Sequence, residues 1–101
     1  MKASMMTDLI TKAALDECVG DIFQAELGGQ TLTFELILVR RIESANTQGD
    51  RPFAAEFRGP LEPVYSQSIY KLENQKLGTR DFFLVPVERG DKGVIYESVF
   101  N

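Results

Sequence analysis

The C-terminal third of the chain carries the clearest hydrophobic pattern. A short half-apolar run at 66–73 meets a turn at 74–78. A dense apolar run at 80–88 follows, then a second turn at 89–93, then an apolar run at 94–100. Apolar runs of this length, separated by Gly-bearing turns, specify antiparallel strands. Upstream, from Asp21 onward, the period is also two. Ile22, Ala25 and Leu27 lead into Gly28-Gly29, a hairpin signal. The next strand places Leu32, Phe34, Leu36 and Leu38 on one face, with Thr31, Thr33 and Glu35 on the other. Ile37 and Val39 break that polarity, which predicts either cover on both faces or a bulge. Phe53, Ala55 and Phe57 then alternate with Ala54, Glu56 and Arg58 in a further half-buried strand, stopped by Gly59-Pro60.

Only one stretch departs from period two. Thr11 can cap a short helix over 12–19, with Gly20 just past its end and Ala14, Leu15 and Cys18 on one stripe. Such a helix is too short to stand alone and must lie on the sheet. Residues 1–10 read as a flexible arm, and 44–52 as a polar connection. The expected fold is all-β: a small six-stranded antiparallel barrel or sandwich with one short N-terminal helix, in a single domain over 11–101. Pro86, inside the fifth strand, predicts an edge or a bulge there.

Composition narrows the chemistry. The 101 residues support one domain, and a single cysteine, Cys18, excludes an internal disulfide. No run has signal-peptide character or approaches the length of a membrane span, so the expected setting is cytoplasmic, with no membrane partner. Net charge is −4 and the basic residues are scattered. Even the Arg40-Arg41 pair falls on a strand, where neighbours point to opposite faces. Nucleic-acid binding is therefore not expected. The chain has no His, which removes the commonest general base near neutral pH and the commonest metal ligand.

The remaining candidates each have a plain structural explanation. Cys18 has no base to form a thiolate and reads as a small buried residue. Glu35, Glu56, Asp81, Glu88 and Glu97 show no spacing that brings two together as an acid and base, and they read as solvated strand positions. No acidic spacing suits Ca²⁺, so neither metal nor cofactor is expected. Arg89-Gly90-Asp91 matches an adhesion tripeptide but falls where a turn needs those residues. The seven phenylalanines either line a pocket or fill the interior. Phe82 and Phe83 must point to opposite faces, so at least one lies outside the main core, either against the helix or as a surface for a partner.

Residues 52–101 carry a recognisable pattern: Pro52, Phe53, Phe57-Arg58-Gly59-Pro60-Leu61, Pro63, Tyr70, Leu72-Glu73 and Leu77-Gly78. It continues through Phe83-Leu84-Val85-Pro86-Val87, Gly93, Tyr96-Glu97 and Val99-Phe100-Asn101. This resembles a family of small bacterial domains of unknown function, about 100 residues long, and the likeness extends back to about Thr11. Val64–Ser68 departs from it, since members often have Pro or Leu and a Gly there. The resemblance implies a loose association with phage-tail-like collar or fibre proteins and brings no catalytic residues with it.

The expectation is a binding or assembly module rather than an enzyme, an accessory or structural protein of a phage-tail-like assembly. It would act through a protein partner or self-association at the Phe82-Phe83 surface. The alternative is a small-molecule or glycan-binding barrel whose mouth lies near Arg58, Tyr65 and Tyr70.

Overall fold

A computed structural model describes residues 9–43, 47 and 49–101. Among them are one helix, α1 (Lys12–Asp16), and six strands: β1 (Ile22–Leu27), β2 (Gln30–Arg41), β3 (Phe53–Gly59), β4 (Ser68–Asn74), β5 (Gly78–Gly90) and β6 (Gly93–Phe100). The strands close into an antiparallel barrel in the order β1-β2-β3-β6-β5-β4. The all-β expectation holds, and the barrel is the form the sheet takes. Residues 1–8 of the predicted arm lie outside the described residues. Leu9 is exposed, whereas Ile10 packs against the core.

Turn chemistry sets the first hairpin. Gly28 and Gly29 both sit at positive φ, +58° and +82°, and Leu27 faces Gln30 across the turn. Two central residues at φ > 0 match the twist of the flanking strands. The helix is shorter than its apolar stripe predicts. The Thr11 hydroxyl accepts from the Ala14 amide at 3.1 Å, so the N-cap stands. After Asp16, however, the chain tightens, with the Cys18 amide donating to Leu15 O. Gly20 N then donates to Leu36 O at 2.7 Å, and Leu36 N to Asp21 O at 3.1 Å, which draws the chain into the sheet.

The interior is filled by side chains. Phe23, Phe57 and Phe82 pack edge to face, with ring centroids 5.2–5.8 Å apart. Phe34 meets Tyr96 in the same manner at 5.5 Å. Gly59 lets these two rings approach, since a Cβ there would lie 2.9–3.0 Å from them. Leu15 and Cys18, from α1 and the turn after it, join the same core.

Both predicted irregularities are bulges. The β2–β3 register shifts between Leu36 and Leu38, and the β5–β6 register between Pro86 and Glu88. The first shift corrects the simple alternation. Leu36 is buried, but Leu38 turns out to solvent and Val39 packs on the core instead. One extra residue at Ile37 reverses the phase of everything after it. Pro86 lies beside the second bulge, where β5 pairs with β6 alone because its pairing with β4 ends at Leu84.

Candidate functional site

Strand alternation and hairpin register build the most conspicuous surface. Asn74 faces Gly78 across the β4–β5 turn, and this register carries through Lys71↔Asp81 and Ile69↔Phe83. Tyr70, Leu72, Phe82 and Leu84 point inward and are buried. Ile69, Lys71, Asp81 and Phe83 therefore stand on the outer wall. Ile69 is 65 % exposed and Phe83 49 %. Lys71 and Asp81 form an ion pair at 3.0 Å beside them. On β6, Val99 is also exposed, whereas its neighbour Phe100 lies against the buried Phe82 with ring centroids 6.1 Å apart.

The sequence-predicted residues thus separate. Phe83 is on the surface, while Phe82 belongs to the core, because alternation sends adjacent residues to opposite faces. Phe82 is therefore not available to a partner. Ile69 was missed as a candidate, although the alternation of 68–74 and the turn length together place it beside Phe83.

The three residues assigned to a barrel mouth do not share one site. Arg58 lies on the outer wall of β3, with its guanidinium 2.8 Å from Glu35 on β2. Tyr65 and Tyr70 do meet. The loop over 60–67 crosses one end of the barrel, where the Tyr65 amide donates to Tyr96 Oη at 2.8 Å. Tyr70 Oη donates to Ser66 O at 2.6 Å. Beside them β1 and β4 diverge, since the only residues in register between these strands are Gln24 and Glu73. The split leaves a groove of about 390 Å³ bordered by Leu27, Tyr65, Ser66, Ile69 and Tyr70. Tyr70 is nearly buried, so it contributes an edge to this groove rather than a free ring.

Of the acidic candidates, Glu35, Glu56, Asp81 and Glu97 are paired with cations and Glu88 stands exposed on β5. Glu56 and Glu97 face each other across β3–β6, a proximity the sequence spacing does not show. Arg40 contacts both carboxylates, with Nε 3.4 Å from Glu56 and an Nη on Glu97. The pair lies on the outer wall rather than in a cleft. Arg89 of the adhesion-like tripeptide lies 3.0 Å from Glu62. Among the described residues no three Cys, Asp or Glu cluster to hold a metal ion.

Cys18 sits deep against Asn74, its thiol 3.7 Å from Oδ1. Burial pushes the thiol pKa up. The negative charges of Asp21 and Glu17 add to this, and Lys76 opposes it. Burial likewise raises the Tyr96 hydroxyl, partly offset by the amide donated from Tyr65. A protonated, buried thiol is a poor nucleophile.

A family described as a domain of unknown function, DUF6916, matches residues 10–100. The chain belongs to DUF6916. The match spans α1 and all six strands, so the DUF6916 unit here is the barrel together with its short helix. No curated protein and no solved structure matches the chain. No helix among the described residues is long and apolar enough to cross a membrane.

Proposed function

We propose that this domain is a binding or assembly module rather than an enzyme, and that its working surface is the outer wall of β4 and β5. The observation that carries this reading is the side-by-side exposure of Ile69 and Phe83 on a barrel whose interior is already filled. Adjacent large apolar side chains on an outer sheet face mark a docking surface more often than scattered single residues do. The tied-up carboxylates and the protonated thiol support the non-enzymatic half of the reading. The finer proposal is an accessory or structural role in a bacterial, phage-tail-like assembly, in the cytoplasm, with a protein partner. It follows from the family resemblance.

The experiment is capture of the neighbouring gene product by immobilised protein. Wild type is expected to retain it and Phe83→Ser to lose it while keeping the native circular dichroism, because Phe83 lies outside the core. Capture that survives Phe83→Ser would move the working surface elsewhere.

One observation favours a second reading. The groove where β1 and β4 part brings Tyr65 beside Leu27 and Ile69, a combination suited to a small apolar ligand or a sugar face. Glycan arrays and ligand-observed NMR, on wild type and Tyr65→Ala, test it. Silence in both removes it.

A further inference from the structure

We propose that the outer wall of β4 and β5 docks a second copy of this chain about a twofold axis running parallel to, and midway between, those two strands. This rests on the reading of that wall as the working surface and names its partner.

The argument is the pattern of four side chains. Ile69 lies opposite Phe83, and Lys71 opposite Asp81, on adjacent antiparallel strands. A twofold axis along the strands lays β4 of one copy over β5 of the other, and a twofold interface must be complementary to itself. Ile69 then meets Phe83 of the partner subunit, and Lys71 meets Asp81 of the partner subunit, each contact occurring twice. The next outward-facing pair, Glu73 opposite Thr79, sets a carboxylate against a hydroxyl, so no like charges oppose. An in-plane axis perpendicular to the strands, passing between these two rows, would set apolar side chains against charged ones. A perpendicular axis through the apolar row would keep Ile69 and Phe83 in contact with their own copies but carry Lys71 and Asp81 away from each other, so only the parallel axis uses both rows.

The ion pair suits such an exchange. Lys71 and Asp81 are 70 % and 60 % exposed, and a pair this open contributes little to the fold of one copy. Either residue can therefore turn to a partner at small cost. At the rim of a buried apolar contact, both would fix the register of the two copies. The patch offers a few side chains where a standard interface has roughly 20–30 residues a side, so association is weak and needs high concentration.

Sedimentation velocity up to about 1 mM protein reads the equilibrium. Wild type is expected to dimerise, and Phe83→Ser to weaken dimerisation roughly tenfold or more. Lys71→Asp sets two acids against two acids across the axis, and Asp81→Lys sets two bases against two bases. Each alone is expected to be monomeric, and an equimolar mixture of the two is expected to restore a dimer. Circular dichroism confirms that each variant is folded. A mixture that stays monomeric overturns the proposal, as does a dimer indifferent to all three substitutions. A wild type that stays monomeric throughout also overturns it. In that last case, capture of the neighbouring gene product that is lost in Phe83→Ser would leave the binding-module reading standing.

Discussion

Asn74 holds together more of the structure than its place at a strand end suggests. Its Oδ1 accepts from the amides of Lys76 and Leu77 at 2.8 and 3.0 Å, closing the β4–β5 turn. Its Nδ2 donates to Ile22 O at 3.1 Å, tying that turn to β1. The same oxygen is the neighbour of the Cys18 thiol. Asn74→Ala strands two amides and one carbonyl near the barrel end, and it is expected to cost about 2–4 kcal/mol in urea denaturation. A loss below that of an ordinary surface substitution would contradict this role. Cys18 and Tyr96 make a prediction about pH. Both pKa values are raised on folding, so the unfolded chain loses these protons first, near the ordinary values of 9.0 and 10.0. Their contribution is therefore complete below about pH 9 and lost as pH rises through the folded values. Melting temperature should fall as pH rises above about 9, and less steeply in Tyr96→Phe. A profile unchanged by that substitution would remove Tyr96 from the explanation.

At the scale of elements, the bulge in β2 decides which residues face inward. Simple alternation assigns Leu38 to the core, yet the shift after Leu36 delivers Val39 instead. Val39→Asp is accordingly expected to cost about 2 kcal/mol or more, because it carries a charge toward the core. Leu38→Asp should stay within about 0.5 kcal/mol. Equal costs, or the reverse order in thermal or urea unfolding, would show that the strand runs in the unbulged phase. The break in polarity at Ile37 and Val39 was visible in the sequence, but its form was not. A strand covered on both faces and a bulged strand look alike until the partner strand is placed. Glu56 and Glu97 illustrate the same limit. They lie far apart in the chain and become neighbours only because β6 pairs with β3, and Arg40 from β2 then reaches both.

Across the whole molecule, the closure of the barrel is uneven. Five strand junctions are joined along runs of residues, while β1 and β4 share register only at Gln24 and Glu73. Local opening should begin at this seam, since few backbone pairs must break. In hydrogen exchange, the amides of Glu26, Ile69 and Lys71, which face the seam, should exchange well before those of β3 and β6. Uniform protection around the barrel would contradict an uneven closure. The sequence by itself determined the strands, the hairpin turns, the helix cap and the inward set of most strands. These depend on local period, on glycine at positive φ and on short-range capping, all of which act within a few residues. It also placed Phe83 on the side of its strand opposite Phe82. Only the tertiary structure decided that the sheet closes, that Ile69 and Phe83 form one exposed surface, that Arg58 stands apart from Tyr65 and Tyr70, and that β1 and β4 part beside those tyrosines. Such outcomes depend on which distant strands pair and in what register, and that is set by packing a common interior rather than by any local pattern.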